Sequence, residues 1–170
     1  MSSEIHDNLD NCLSTVAVAE NDFKELLELR IAAMRESLER LGRFDPERAH
    51  ARLRQSFYPA ETQFIVRAGQ RIGFYTFRRA DDGFYLDHLY IHPRVQTQGI
   101  GSTVLRQLLA QADALQLPIR LNALRESAAN QFYQRHGFVQ TAAEEWDISY
   151  VRWPLSQRDA EASVKSCPGS

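Results

Sequence analysis

In the N-terminal third of the chain, apolar residues recur first as a short strand-like run and then at helical spacing. Ser14–Ala19 predicts a strand, and Phe23–Leu41 predicts a helix. Asp45 and Pro46 predict the start of a second helix, which Pro59 ends. The inner faces expected for the two helices are, in order, Phe23, Leu27, Ile31, Met34, Leu38 and Leu41, then Ala49, Leu53 and Phe57.

Alternating apolar and polar positions replace the helical spacing in the middle of the chain. They predict strands at Gln63–Ala68, Ile72–Arg79 and Phe84–His92. A hairpin turn at Gly69-Gln70 joins the first two strands, and Asp81-Asp82-Gly83 leads into the third. This part of the chain therefore predicts an antiparallel meander.

The last third of the chain mixes helices with short strands. Helices are expected at Ser102–Leu115 and at Ser127–Arg135, and Ser127 is expected to cap the second. Short strands are expected at Pro118–Ala123, Phe138–Thr141 and Ile148–Trp153. The inner face predicted for the first of these helices consists of Val104, Leu105, Leu108, Leu109 and Ala112.

These elements together predict a single α/β domain over residues 14–155, with a mixed, mostly antiparallel sheet flanked by helices. A chain of 170 residues that is 44% hydrophobic suits one domain with a full core. Residues 1–13 are expected to form a flexible leader. Residues 156–170 are polar and are expected to form a disordered tail.

Charge and cysteine usage exclude several classes of protein. Twenty basic and 22 acidic side chains give a net charge of −2 without a long block of one sign, which argues against a nucleic-acid partner. No apolar run reaches the roughly 20 residues that span a bilayer, so no membrane partner is expected. Cys12 and Cys167 lie in polar segments without metal-ligand spacing. We expect two free thiols, no metal and a cytoplasmic location.

A glycine-bearing loop joins the strand Phe84–His92 to the following helix. Its sequence from Gln96 is Gln-Thr-Gln-Gly-Ile-Gly-Ser. The start of a helix presents unpaired N–H groups and a partial positive charge, which together suit phosphate. Gly99 and Gly101 leave room for a diphosphate to approach the backbone. The loop therefore predicts a ligand that carries phosphate groups.

Two common glycine-rich loops do not match this one. A mononucleotide P-loop needs Lys after its last glycine, whereas Ser102 follows Gly101 here. A dinucleotide loop needs a third glycine, whereas position 104 is Val104, and the preceding segment is a meander. Both classes are excluded on these residues.

Two motifs resemble those of the GCN5-related N-acetyltransferase (GNAT) superfamily. Gln96, Gly99 and Gly101 match its signature Arg/Gln-x-x-Gly-x-Gly/Ala, and Ala129–Phe138 is similar to its Ala-x-x-Phe-Tyr-x-x-x-Gly-Phe segment. The order of elements over residues 14–155 also follows the family. The resemblance implies acetyl transfer from acetyl-CoA to a primary amine by direct attack, and a splay between the fourth and fifth strands. It also implies a possible homodimer, paired through the final strand with Trp153.

The resemblance assigns the cofactor contacts. The backbone of Leu89, Tyr90 and Ile91 would pair with the pantetheine arm and the thioester oxygen. The loop amides would hold the pyrophosphate, and these belong to Gln96, Thr97, Gln98, Gly99, Ile100, Gly101 and Ser102. Members often have Asn where Ser127 stands, so Asn122 or Asn130 would supply an amide contact, and Phe132 and Tyr133 complete the set.

For catalysis, the resemblance makes Tyr133 the acid that protonates the leaving thiolate, unless its ring only packs beside Phe132. Asp87 is the first candidate for the base, because similar enzymes often carry the base on the strand face that it shares with Tyr85 and Leu89, and it is the residue on that face expected to be charged at neutral pH. Asp87 could instead bind a substrate cation or pair with an arginine. His88 is the second candidate, although a partly exposed structural histidine is the alternative. His92 and His136 are expected at the surface or in caps.

Acceptor contacts are expected from the first two helices and the last hairpin, through Arg30, Met34, Tyr85 and Trp146. Arg30, Arg35, Arg48 and Arg52 could form a wall that recognises a carboxylate or phosphate, or simply a solvated helix face. Glu144, Glu145 and Asp147 could instead form an acidic rim for a polyamine or lysine. A non-catalytic acyl-CoA sensor and a protein acetyltransferase acting on an N-terminus or lysine stay open as alternatives.

Overall fold

The computed structural model describes residues 12–156 and shows the predicted order of elements. The helices are α1 (Phe23–Arg40), α2 (Pro46–Gln55), α3 (Ile100–Ala114) and α4 (Ala129–Arg135). The strands are β1 (Leu13–Ala17), β2 (Thr62–Arg67), β3 (Gln70–Ala80), β4 (Gly83–Ile91), β5 (Ile119–Leu124), β6 (Val139–Ala143) and β7 (Asp147–Arg152). Of the helices between residues 12 and 156, none is long and apolar enough to cross a membrane.

The ends of the chain bear on the predicted leader and tail. The strand β1 begins at Leu13, one residue earlier than expected, so Leu13 does not belong to a leader. Cys12 is an exposed free thiol. The rest of the predicted leader, the tail beyond Ser156 and Cys167 lie outside the described residues.

The strands form one seven-stranded mixed sheet in the order β1-β2-β3-β4-β5-β7-β6. β4 runs parallel to β5, whereas the β1–β2, β2–β3, β5–β7 and β6–β7 pairs are antiparallel. The predicted α/β fold class is therefore confirmed. β4 and β5 pair through Phe84 with Ile119 and through Tyr85 with Arg120, at the beginning of both strands. This short pairing agrees with the expected splay.

The final strand of the chain is not an edge of the sheet. β7 pairs with β5 on one side and with β6 on the other, so β6 forms that edge. The expectation that the final strand, with Trp153, pairs between subunits is therefore wrong. The order of strands along the chain does not determine their order in space, because the β6–β7 hairpin returns with its second strand next to β5.

The chain divides into two compact units. The first comprises the residues up to Phe77 together with Asp87–Val104, and the second comprises Arg78–Leu86 together with the residues from Leu105 onwards. The core of the first unit consists of Val18, Phe23, Leu26, Leu29, Leu53, Phe64 and Phe74. The prediction of one domain over residues 14–155 stays a prediction.

The inner face of α1 differs from the predicted one. Beyond Phe23 the helix buries Leu26, Leu29 and Arg30, and it leaves the other predicted positions only half-buried. Phe23, Leu26 and Arg30 follow the helical repeat. The prediction placed the face one residue later, at Leu27 and Ile31, because both are apolar whereas position 30 carries a charge. The inner face of α2 is confirmed by the burial of its alanine and leucine.

The second unit buries the predicted inner face of α3 from Leu105 to Ala112. At the end of β7, the guanidinium of Arg152 donates two hydrogen bonds of 2.8 Å to the carboxylate of Asp113 on α3. Arg152 is itself buried, so this paired charge fixes the strand to the helix. The sequence patterns did not indicate this pair.

Several predicted caps and turns are confirmed in the structure. Asp45 caps α2, because its Oδ1 accepts hydrogen bonds from the backbone N–H groups of Glu47 and Arg48 at 2.9 and 3.3 Å. The β2–β3 turn is shifted by one residue, to Ala68 and Gly69, with φ values of 50° and 73°. Two positive φ values in a two-residue turn match the twist of an antiparallel hairpin.

Candidate active site

The glycine-bearing loop is held at its base by the end of β4. Gln96 donates from Nε2 to the carbonyl oxygen of Ile91 at 2.8 Å. His92 caps the intervening short turn, since its Nδ1 accepts from the backbone N–H of Arg94 at 3.2 Å, which confirms a capping role. Thr97 and Gly99 then adopt positive φ values of 64° and 79°. These two residues reverse the chain so that it runs directly into α3.

The loop presents the start of α3 to the surface. The helix begins at Ile100, two residues before the predicted Ser102, and Ile100 is buried as an anchor. Gln96, Thr97, Gln98 and Gly99 are exposed, whereas Gly101 and Ser102 are half-buried. The first N–H groups of a helix have no partner within it, and they carry partial positive charge. The arrangement fits a diphosphate.

A cation also lies beside this loop. Arg67, at the end of β2, donates from its guanidinium to Oε1 of Gln98 at 2.8 Å. No acidic residue occurs between His92 and Thr103. The sequence patterns did not point to Arg67, because only the fold brings the end of β2 next to the loop.

The second half of β4 alternates between buried and half-buried side chains. Leu86 and His88 are buried, whereas Asp87 and Leu89 are half-buried. The predicted assignment of Asp87 and Leu89 to one strand face is therefore confirmed. Tyr90 and Ile91 are half-buried, and a Cβ at Gly73 on β3 would lie 2.2 Å from the carbonyl oxygen of Tyr90. Only glycine allows the strands to approach so closely at this point.

His88 is buried rather than partly exposed, which corrects the prediction. Its Nε2 lies 2.8 Å from Oγ of Ser56, and only 8% of the residue is exposed. The pKa of His88 is lowered from 6.5 to about 4, mainly by burial and also by the positive charge of Arg30, although Asp87 and Ser56 raise it in part. The imidazole is therefore neutral at pH 7 and a weak base.

Arg30 is buried in the first unit, with 6% of its surface exposed. Its guanidinium carbon lies 5.9 Å from the ring centroid of Tyr90. The expectation of a solvated helix face is therefore wrong for Arg30, although Arg35 is exposed and pairs with Glu39 at 3.5 Å. Arg48 and Arg52 are exposed as well, and Met34 is half-buried on α1.

In the second unit, α4 holds Tyr133 in an aromatic cluster. The ring is 8% exposed and meets Phe132 and Phe138 edge-on, with centroid distances of 5.2 and 5.5 Å. The backbone carbonyl oxygen of Tyr133 accepts from the N–H groups of His136 and Phe138 at 3.0 and 3.2 Å. Tyr133 packs beside Phe132, and its role as an acid stays a prediction.

Asn130 connects three elements of the second unit. Its Nδ2 donates to the carbonyl oxygen of Leu124 at 2.9 Å, and its Oδ1 accepts from the hydroxyl of Tyr150 at 2.9 Å. Ser127 does not cap α4, contrary to the prediction, because its hydroxyl donates to the same carbonyl of Leu124 at 2.7 Å. Asn130 therefore positions α4, and thereby Tyr133. Asn122 is exposed and accepts from the hydroxyl of Ser149 at 2.8 Å.

The remaining predicted acceptor residues lie in the second unit. The guanidinium carbon of Arg78 lies 5.3 Å from the ring centroid of Tyr85. Trp146 is half-buried, and its carbonyl oxygen accepts from the N–H of Arg125 at 2.7 Å. Glu144 is exposed, and its N–H donates to the carbonyl oxygen of Asp147 at 2.8 Å. Between residues 12 and 156, no group of three His, Cys, Asp or Glu side chains could hold a metal ion.

Comparison with solved structures supports the class that this fold defines. The PaiA N-acetyltransferase from Thermoplasma acidophilum, in complex with coenzyme A, has a TM-score of 0.68 and 16% identity over 84% of this chain and 99% of that one. An acetyltransferase from Thermus thermophilus has a TM-score of 0.67 and 16% identity over 85% and 98%. The ribosomal-protein-S18-alanine N-acetyltransferase from Escherichia coli has a TM-score of 0.63 and 14% identity over 84% and 94%.

At these identities the structural likeness establishes an acetyltransferase fold. The family follows from the sequence, because residues 54–140, about half of the chain, match the acetyltransferase (GNAT) domain. The chain belongs to the GNAT acetyltransferase family, and its class of activity is acyl-CoA-dependent acetyl transfer. No curated protein sequence matches it.

Proposed function

We propose that the protein transfers an acetyl group from acetyl-CoA to the primary amine of a small molecule by direct attack. The observation that carries this proposal is the exposed loop from Gln96 to Gly99, which is anchored on Ile91 and leads directly into α3. Such a site takes a diphosphate, which the family membership identifies as that of coenzyme A.

The proposed contacts with acetyl-CoA follow from this loop. The N–H groups from Thr97 to Ser102 would hold the pyrophosphate, whereas that of Gln96, predicted to join them, donates to the carbonyl oxygen of Pro93 at 3.3 Å. Arg67 would add a positive charge beside Gln98. The backbone of Leu89, Tyr90 and Ile91 would hold the pantetheine arm. Phe132 and Asn122 are proposed as further contacts, whereas the amide of Asn130 already has partners within the chain.

The proposed chemistry needs one base and one acid. The bound acetyl-CoA supplies an activated acetyl group. Asp87 would accept a proton from the acceptor ammonium, directly or through water, so that the neutral nitrogen forms a bond to the acetyl carbon. Tyr133 would donate its hydroxyl proton to the sulfur as the carbon–sulfur bond breaks. The assignment of the base to Asp87 is supported by access, because Asp87 is half-buried whereas His88 is buried with its Nε2 at 2.8 Å from the hydroxyl of Ser56.

The experiment that tests this function is a screen of amine acceptors with detection of the released thiol. The panel contains small amines, small amino acids, polyamines and short peptides that offer an N-terminus or a lysine. We expect acetyl-CoA-dependent thiol release with at least one small amine and little with the peptides. Release with the peptides alone would contradict the proposed acceptor class and favour a protein acetyltransferase.

The same screen separates an enzyme from a non-catalytic sensor. Acetyl-CoA binding is measured in parallel by calorimetry. Binding without thiol release on any acceptor, and without any effect of Tyr133→Phe, would contradict catalysis and favour an acyl-CoA sensor.

A further inference from the structure

The first unit buries a positive charge that has no acidic partner among the described residues. Arg30 on α1 is 6% exposed, and its Nε has no hydrogen-bond partner among residues 12–156. One terminal nitrogen makes a long contact of 3.5 Å to the carbonyl oxygen of Ala49. Burying a guanidinium without a counter-ion is costly in free energy, and folded proteins seldom do so without a function.

A second buried polar atom lies in the same cluster. His88 on β4 uses Nε2 toward Ser56, while its Nδ1 has no partner within the described part of the chain. The Tyr90 ring joins the two side chains, since its centroid lies 5.9 Å from the guanidinium carbon of Arg30 and 5.6 Å from the centroid of His88. Phe74 closes the cluster at 5.8 Å from the His88 ring. We name Arg30, His88 and Tyr90 the Arg30 cluster.

We propose that the Arg30 cluster binds the carboxylate of the acceptor, so that the acceptor is an amino acid rather than a simple amine. One buried guanidinium beside a neutral imidazole carries a single positive charge, which a monoanion neutralises. A guanidinium also offers a planar fork of donors that matches a carboxylate. A phosphate dianion would leave an excess of negative charge. That the carboxylate belongs to an acceptor amine rests on the proposed function.

The geometry of β4 also indicates how far apart the amine and the carboxylate of the acceptor must be. Asp87 and His88 are consecutive, so their side chains lie on opposite faces of the strand. β4 pairs with β5 only through Phe84 and Tyr85, so an acceptor with its amine at Asp87 and its carboxylate at the Arg30 cluster would pass the edge of β4 beyond this pairing, which requires several methylene groups between the two. The probe is therefore 5-aminopentanoate, and its control is the uncharged 5-aminopentanamide.

The test is calorimetric binding of these two probes to the full chain in the absence of acetyl-CoA. We expect 5-aminopentanoate to bind at least tenfold more tightly than the amide. Arg30→Met should weaken that binding at least tenfold without lowering the melting temperature, because it removes an uncompensated buried charge. Lys24→Gln removes one positive charge from the same helix at a side chain that is 89% exposed, and it should leave binding unchanged.

Equal binding of the two probes by the wild type would overturn the proposal, and this readout does not depend on how any variant folds. An equal loss in Lys24→Gln and Arg30→Met, or tighter binding of inorganic phosphate than of 5-aminopentanoate, would overturn it too. Binding without acetyl transfer would leave the Arg30 cluster standing and refute the proposed function. Acetyl transfer to amines without any preference for those that carry a carboxylate would refute the Arg30 cluster as a binding site and leave the proposed function standing.

Discussion

The hydroxyl oxygen of Ser56 lies 2.8 Å from Nε2 of His88, so a residue just after α2 holds an imidazole on β4. The same hydroxyl donates to the carbonyl oxygen of Arg52 at 3.0 Å. Because a serine has one proton to donate, Nε2 must carry the imidazole proton, and Nδ1 is the unprotonated nitrogen. His88 is therefore held in one neutral form, with its basic nitrogen buried.

This pair predicts a loss of stability in mild acid. The pKa of His88 is about 4 in the folded protein against 6.5 without burial, so the unfolded chain binds more protons between these values. The part of the free energy of unfolding that depends on neutral His88 is fully present above pH 6.5. It decreases by up to about 3 kcal/mol as the pH falls toward 4. Urea unfolding at pH 5 and pH 7 measures the difference.

The control for this prediction is a second histidine of the first unit. His50 is exposed and meets the Phe23 ring edge-on at 5.1 Å. His50→Gln should keep most of the acid-dependent loss, whereas His88→Gln should flatten it. An equally steep loss between pH 7 and pH 5 in His88→Gln would show that another group is responsible.

Tyr133→Phe should lower kcat and leave the fold intact. The ring packs against Phe132 and Phe138 in either variant, so we expect a melting temperature within a few degrees of the wild type. Loss of a general acid should reduce kcat about 100-fold, with little change in the affinity for acetyl-CoA. Tyr75→Phe removes the hydroxyl of a half-buried tyrosine that has no proposed role, and it should leave kcat unchanged. An unchanged kcat in Tyr133→Phe would remove this tyrosine from the mechanism.

The elements of the fold could be predicted from the sequence because each has its own periodicity, whereas their neighbours in space could not. The inner face of α3 and the cap at Asp45 are local features, and both are confirmed. The position of β7 between β5 and β6 depends on how a hairpin docks, so the edge strand was predicted wrongly.

The residues of the candidate site also differ in whether they could be predicted from the sequence. The loop at Gln96 could be found because its residues are consecutive. Three other features could not be found in this way: the burial of Arg30, the partner of His88 and the approach of Arg67 to the loop. Each depends on a residue of another element that lies at least 31 positions away in the sequence. The charge of Arg30 also led to a wrong prediction of a solvated helix face, because charged residues on helices are usually solvated.

Thr97→Gly should stabilise the protein. Thr97 has a φ of 64°, a left-handed conformation that a β-branched residue adopts at a cost of about 1–2 kcal/mol. Glycine removes that cost but adds freedom to the unfolded chain, so we expect a net gain of about 0.5–1 kcal/mol. Gln98 has no positive φ, and Gln98→Gly should destabilise instead. Thermal unfolding of both variants checks this, and a lower melting temperature for Thr97→Gly would contradict it.

Arg67→Gln should raise the KM for acetyl-CoA without changing kcat. The guanidinium lies beside the loop through its 2.8 Å hydrogen bond to Gln98, and it is partly exposed, so its attraction for a phosphate is worth less than about 1 kcal/mol. This corresponds to a roughly threefold rise in KM, which should shrink as the salt concentration increases. Arg71→Gln is the control, because Arg71 on β3 pairs with Glu25 at 2.6 Å and Asp22 at 3.2 Å. It should lower the melting temperature and leave the KM unchanged. If both variants raise the KM equally, Arg67 acts only through the overall charge and not through its place at the loop.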